Sequence, residues 1–309
     1  MNSQMETTNV GLENSRVSFD KQYDQPKTVA VGDEKFEIYH AAPGKKKTGP
    51  LLFGHGWPAN PRLMRENLYE LFNKGREVVF PYTQHGIELD KTIQESDPET
   101  LKKFAGVQLR KASVFLRTIE EEGLQGINGV AFSEGALHVV IAALMRPERF
   151  KNIVLVNPSG IMGKSSIFNF VLGAIRDTKT HAKRKLEEAS RAKAQGVAPK
   201  LDEREDVADD TLAKHLKSGV WASIQEVASI PGTDILDALA KLKELGIGVS
   251  IIHSADDKIY DMQKVQKMVK AKHLDGFYSV KGTHTEFSAN PKRYGVLIDS
   301  ALTALEKKS

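Results

Sequence analysis

The feature that most constrains this chain is an alternation. Short apolar runs of strand character give way, again and again, to longer segments with helical spacing. The strand-like runs are Thr28–Val31, Phe36–His40, Pro50–Phe53, Glu77–Phe80, Ile127–Phe132, Ile153–Val156, Val249–Ile252 and Phe277–Val280. The first two are parted by the turn signal Gly32-Asp33-Glu34. Between later ones lie helical patterns: Leu63, Leu68, Leu71 and Phe72; Ala136–Met145; a helix from Asp261; and a last helix with Tyr294, Leu297, Ile298, Ala301, Leu302 and Leu305 at core spacing. Asp97-Pro98 supplies an N-cap and first-turn proline for one long helix carrying Leu101, Phe104, Leu109, Phe115 and Ile119. Strands that alternate with helices of this length predict an α/β fold, a mostly parallel sheet covered on both faces.

Two stretches escape the alternation. Residues 1–24 are polar and lack periodicity, which predicts a tail, mobile or laid over the surface. From Ile161 to Gly246 there is no convincing strand, only helical patterns and charged runs, too much chain for a simple crossover. A helical cap over 161–246, inserted into a core of 25–160 and 247–309, is the expectation. Its apolar stripes (Ile161, Met162, Ile167, Phe168, Phe170, Val171 and Leu172; Val220, Trp221, Ile224 and Val227) are expected in part to line the space under the cap. The basic run Lys179–Lys193 is expected to face solvent, as is the Lys45–Lys47 loop.

Composition narrows the chemistry. Of 309 residues 40% are hydrophobic, enough for a substantial core. A formal net charge of +4 is too thin at this length to mark a nucleic-acid binder. The absence of cysteine excludes disulfide scaffolds, thiol nucleophiles and thiolate metal sites. No run reaches the length of a membrane span, and the polar N-terminus lacks the apolar stretch of a secretory signal, so a soluble cytoplasmic protein is expected.

One joint stands out, Gly129-Val130-Ala131-Phe132-Ser133-Glu134-Gly135-Ala136. An apolar strand runs into a sharp turn with Ser133 at its apex, and a helix starts at once. Small residues two before and two after the serine let strand and helix approach, leaving the hydroxyl exposed above the helix N-terminus. The plain alternative is a tight joint whose serine merely caps the helix. A nucleophilic serine needs a base, and the base an acid to orient it. Downstream, strand Val249–Ile252 runs out into an acidic loop with Asp256 and Asp257, and His284 follows in Lys281-Gly282-Thr283-His284. In a parallel sheet such strand ends converge on one crevice. Upstream, Gly54-His55-Gly56-Trp57 is a glycine-rich turn after a strand; the backbone N–H groups of Trp57 and Glu134 are the candidate donors to an oxyanion. His55 reads as a loop-stabilising residue and His138 as packed, while His181, His215 and His273 read as solvated. No metal-ligand spacing and no phosphate-binding glycine loop is present, so neither a metal nor a nucleotide is expected.

Together these landmarks resemble the α/β-hydrolase superfamily of serine hydrolases, from about residue 27 to the end. The likeness rests on His55-Gly56-Trp57, the Gln84-His85-Gly86 turn, the Ser133 elbow, Asp257-Lys258-Ile259-Tyr260 and Gly282-Thr283-His284. It implies a sheet of about eight strands, a helical cap after the sixth, no cofactor, and hydrolysis of an ester or related acyl compound through an acyl-enzyme. It further implies Ser133 as nucleophile, His284 as base and, of the two adjacent acids, Asp257 as the orienting one. Ala131 stands where the family has its first elbow glycine, the Gln84-His85-Gly86 turn lacks the arginine common in relatives, and Asp261 stands where many have proline. None of these departures removes a catalytic group, and Ser133 excludes the members with an aspartate nucleophile. The expected substrate is a small or medium apolar carboxylic ester. Acyl transfer, perhydrolysis, carbon–carbon or peptide hydrolysis by the same triad, or ligand binding without catalysis, are the alternatives.

Overall fold

A computed structural model describes residues 2–47, 49–162, 167–194, 203–272 and 274–308. Eight strands form one sheet: β1 (Lys27–Val31), β2 (Glu34–Ala41), β3 (Leu51–Gly54), β4 (Val78–Tyr82), β5 (Ile127–Phe132), β6 (Phe150–Val156), β7 (Gly248–Ser254) and β8 (Gly276–Val280). Their order is β1-β2-β4-β3-β5-β6-β7-β8. β1 and β2 pair antiparallel, as do β2 and β4; every other pairing is parallel.

Helices connect them: α1 (Asn2–Tyr23), α2 (Pro61–Asn73), α3 (Lys91–Gln94), α4 (Pro98–Leu101), α5 (Gly106–Glu121), α6 (Gly135–Met145), α7 (Ile167–Ala194), α8 (Glu203–Ser218), α9 (Val220–Ser229), α10 (Leu236–Glu244), α11 (Met262–Ala271), α12 (Glu286–Ala289) and α13 (Pro291–Glu306). Because side chains alternate along a strand, the sheet divides the core into two layers. On one face Leu52, Ala131 and Ile153 meet Leu116 and Ile119 of α5, Leu137 and Ile141 of α6, Leu239 of α10 and Val265 of α11. On the other, Phe53, Val130 and Val154 meet Leu68 and Phe72 of α2 and Ile298 and Leu302 of α13.

Three sequence expectations change here. Residues 2–23, expected as a tail either mobile or laid over the surface, form a regular helix laid against the core: Phe19 and Tyr23, one turn apart, are buried against Tyr39, Tyr69 and Phe72. Two aromatic anchors suffice to seat an otherwise polar helix, which is why no periodic stripe announces it. The helix predicted from Asp97 is broken in two. Asp97 caps α4 through the N–H groups of Glu99 and Thr100, the chain turns extended at Ala105, and α5 starts afresh at Gly106 with Phe104 tucked into the core between them. Finally, α10 does not belong with the inserted helices. Leu236, Leu239 and Leu242 are buried in the sheet-flanking layer, so α10 is the crossover into β7, and the insertion after β6 consists of α7, α8 and α9.

The insertion's apolar stripes are only in part where they were expected: Ile161 is buried, and Met162, Phe170 and Leu172 line a cleft with Asp257 and Tyr260. Phe168 and Trp221 are each 71% exposed, with Val220 and Ile224 exposed beside Trp221. The buried positions of α9, Ser223 and Glu226, lie on the opposite side of that helix.

Truncating Phe19 leaves a cavity where α1 meets α2. We expect Phe19→Ala to cost about 3–5 kcal/mol in urea unfolding, whereas Val17→Ala, at an exposed position of the same helix, changes stability by less than about 0.5 kcal/mol.

Candidate active site

The β5–α6 joint places Ser133. Its φ is +52°, a left-handed conformation a non-glycine residue adopts only when its surroundings impose it. Here they do: Ser133 N–H donates to Val156 O at 3.0 Å, and its carbonyl accepts from Ser159 N–H at 3.1 Å and Ala136 N–H at 3.1 Å. The reason for glycine after the turn is close approach. A Cβ on Gly135 would lie 2.4 Å from the Gly54 carbonyl carbon, so only glycine lets α6 start against the end of β3. The same crowding brings Gly56 to the serine, where an added Cβ would lie 2.9 Å from that of Ser133.

His284 and Asp257 arrive from the ends of β8 and β7. His284 Nε2 lies 2.9 Å from Ser133 Oγ, and Nδ1 lies 2.8 Å from Asp257 Oδ2. The carboxylate accepts at Nδ1, so the proton sits there and the Nε2 lone pair faces the hydroxyl. Asp257 Oδ1 accepts the N–H groups of Ile259 and Tyr260 at 2.8 and 2.9 Å. Asp256 instead stands half-buried, its backbone N–H donating to Gly282 O. Burial pushes the Asp257 carboxyl up, but the charge and hydrogen bond of His284 outweigh it and hold Asp257 below the usual carboxylate range. Burial likewise pushes the His284 imidazole down, and the Asp257 charge reverses this to a net rise. The His284 loop is held from behind by Asn157, whose amide donates to His284 O at 3.0 Å and accepts Ser254 N–H at 2.7 Å.

A fourth group escaped sequence reading. Asp177 of α7 is 1% exposed, and its Oδ1 accepts the backbone N–H groups of His284 at 2.9 Å and Lys258 at 3.1 Å. Its Oδ2 lies 3.4 Å from Thr285 N. One carboxylate of the insertion thereby ties together the loops that carry His284 and Asp257. One turn earlier Gly173 admits this contact, since a Cβ there would lie 2.7 Å from Lys258 O. One and two turns later His181 and Arg184 meet Glu286, so this face of α7 does not point to solvent as expected, although Lys179 and Lys183 are exposed. Nothing in the charged run around Asp177 distinguishes this residue from its solvated neighbours. A cleft of about 560 Å³, lined by Phe170, Gly173, Arg176 and Tyr260, opens on the Asp257 side of α7.

On the other flank, among the described residues, neither the Trp57 nor the Glu134 backbone N–H has a hydrogen-bond acceptor, which leaves both available. Both side chains are anchored. Glu134 is fully buried, with Lys111 Nζ at 3.1 and 3.2 Å from its two oxygens and Gln108 Nε2 at 3.3 Å. Burial pushes this carboxyl up, and the Lys111 charge with His138 overrides it to a net fall. Trp57 Nε1–H donates to His215 Nε2 at 3.0 Å. His215 is therefore buried rather than solvated, packed with His85 around Glu226 of α9. His85, His215 and Glu226 are the described residues able to present three ligand atoms to one metal ion. His55 donates to its neighbour's carbonyl, Gly56 O, at 3.0 Å, with burial lowering its pKa to about 4, and His138 bonds Gln108. His273 lies outside the described residues.

No family model matches the sequence, and no curated protein matches it. Solved structures are similar in fold. A bromoperoxidase from Bacillus anthracis aligns with 91% of this chain and 100% of its own, at a TM-score of 0.60 and 18% identity. For an esterase from Exiguobacterium antarcticum the shares are 90% and 99%, at a TM-score of 0.60 and 15% identity. A carboxylesterase structure from the thaumarchaeon Nitrososphaera gargenis aligns over 92% and 100%, at a TM-score of 0.61 and 15% identity. The chain has the α/β-hydrolase fold. No helix among the described residues is long and apolar enough to cross a membrane.

The Asp177 charge is one of the groups that raise His284. We expect the His284 imidazole resonance to titrate above the ordinary histidine value of about 6.5, and at a lower pH in Asp177→Asn, which keeps an oxygen acceptor but removes the charge. NMR titration of the ring protons reads both.

Proposed function

We propose that the protein is a serine hydrolase that cleaves a carboxylic ester through an acyl-enzyme. The observation that carries this reading is the unbroken chain Ser133 Oγ–His284 Nε2, 2.9 Å, and His284 Nδ1–Asp257, 2.8 Å. In this mechanism Ser133 Oγ attacks the ester carbonyl while His284 Nε2 takes its proton. The new C–O bond turns the carbonyl oxygen into an oxyanion between the Trp57 and Glu134 N–H groups. Collapse breaks the bond to the alcohol oxygen, which leaves with the proton from His284. A water then repeats the sequence on the acyl-serine, with His284 again as base, and releases the acid. Asp257 holds the tautomer and stabilises the imidazolium formed in each half. Every step uses groups of this chain. Esterases among the structures of similar fold agree with this reading, and a small or medium apolar acyl group is the substrate class it favours, to be read from a panel of esters graded by acyl length.

A fluorophosphonate probe should label the wild type at Ser133 and leave Ser133→Ala unlabelled but folded. An activated ester should release a burst of chromogenic alcohol from the wild type only. Labelling at another serine sinks the assignment.

The two acids separate cleanly. Asp257→Asn should lower kcat by up to about 10⁴, the cost of a wrong histidine tautomer in a triad, while Asp256→Asn should stay within a few-fold. Because the base acts unprotonated and the His284 pKa is raised, kcat/KM should fall as pH drops, with its acid-limb midpoint above about 6.5.

A further inference from the structure

Beside the triad, between the core and the insertion, lies a buried polar cluster the mechanism does not use. Two carboxylates, Glu134 and Glu226, are each 0% exposed, and both bond Lys111, at 3.1 Å and 3.3 Å. Among the described residues no other lysine or arginine pairs with either. One ammonium against two buried carboxylates leaves one negative charge uncompensated, and buried charges of that kind are paired or bind metal.

Hydrogen bonds locate the missing cation. Ser218 Oγ–H donates to His215 O at 2.7 Å, so its oxygen is left to accept from His85 Nε2–H at 2.8 Å. A neutral His85 then carries a bare lone pair on Nδ1, and that atom stands 3.0 Å from Glu226 Oε1. His215 Nε2 receives the Trp57 indole N–H at 3.0 Å, so it too carries a lone pair, 2.8 Å from Glu226 Oε2. Neither nitrogen therefore has a proton to give the carboxylate oxygen it stands against. These contacts are repulsive unless a positive charge lies among them.

We propose that His85, His215 and Glu226 form a binding site for a divalent transition-metal ion of the zinc class. The three ligand atoms lie within 4.8 Å of one another. Two imidazoles and one carboxylate are a donor set that zinc takes, with a further position for water. His85 shows the outer arrangement expected of a ligating histidine, one nitrogen toward the ion and the other N–H donated to a fixed oxygen, here Ser218. Lys111 does not occupy the place: its ammonium has both oxygens of Glu134 and touches only Oε2 of Glu226, leaving Oε1 with His85. The ion replaces the indole hydrogen as the partner of His215 Nε2, so metal uptake is coupled to Trp57. It also joins the loop after β4 to α8 and α9, cross-bracing the insertion onto the core. Positions 85, 215 and 226 come from three separate elements, which is why no ligand spacing appears in the sequence.

The test uses the full-length protein, stripped with EDTA and titrated with Zn²⁺ by calorimetry and with Co²⁺ by visible absorption. We expect one Zn²⁺ per chain, a d–d band of low-coordinate Co²⁺, a rise in Tm with Zn²⁺, and a change in Trp57 emission in a Trp221→Phe background. His85→Ala and His215→Ala should each weaken Zn²⁺ binding by about 100-fold or more, beyond what loss of an outer partner costs. His40→Ala should not: its two ring nitrogens face Glu122 and Glu77 on opposite sides, so it is not one of three converging ligands. His85 is partly exposed, so His85→Ala is expected to stay folded, which circular dichroism checks. If wild type takes up neither ion, or if His85→Ala binds Zn²⁺ as tightly as wild type, the proposal is overturned.

Discussion

The contact on which the rest of the site depends is steric: the crossing of β3's end over the first turn of α6. Gly135 and Gly54 approach so closely that a single methyl on either would strike the other's backbone. With the backbones pressed together, the chain between β5 and α6 has room for one residue in a left-handed turn, and that residue is Ser133. The same approach lays His55-Gly56-Trp57 directly against the serine. A glycine pair therefore sets the distance between the hydroxyl and the N–H of Trp57. Strain at Ser133, of about 1–3 kcal/mol for such a conformation, is sustained by backbone hydrogen bonds to Val156 and Ser159 on β6 and its outgoing loop.

Around that fixed point the polar groups fall into two buried sets. The Asp257 set keeps a negative charge beside an imidazole, where burial alone would neutralise both. It is closed by backbone N–H groups, from Ile259 and Tyr260 toward Asp257 and from His284 and Lys258 toward Asp177. The Glu134 set keeps a second carboxylate beside Lys111. Each set holds one side of the space above Ser133, and each includes a carboxylate supplied by the inserted helices, Asp177 on one side and Glu226 on the other.

That distribution explains what was legible in the sequence. All eight strands were readable, because an α/β sheet writes each strand as a short apolar run between helices, and local pattern suffices. Ser133, Asp257 and His284 were readable because each sits at a strand end, in an order the superfamily resemblance supplies. Asp177, His215 and Glu226 were not. Asp177 lies in the charged run of α7, His215 in the last turn of the charged α8, and Glu226 is the one charged residue of α9, and only the docking of these helices on the core separates a buried polar group from a solvated one. Helix α1 escaped for the same reason, resting on two aromatics, Phe19 and Tyr23, whose partners are distant in sequence. The break between α4 and α5 escaped because Asp97-Pro98 starts a helix well but carries no information on where it stops.

The inserted helices thus meet the core through buried polar groups as well as through Phe170, while several of their other apolar side chains stand exposed. This departs from the usual division, in which apolar stripes seat a helix and charged residues face water. Hydrogen bonds and ion pairs are directional and lose their value over a small displacement, whereas apolar contacts tolerate sliding. Asp177 and Glu226 accordingly fix the inserted helices by directional contacts to the His284 and Lys258 backbone and to His215. Moving them breaks contacts to the His284 backbone on one side and to the Trp57–His215 pair on the other. The seating of the inserted helices and the placement of the His284 and Asp257 loops thus share the contacts of Asp177.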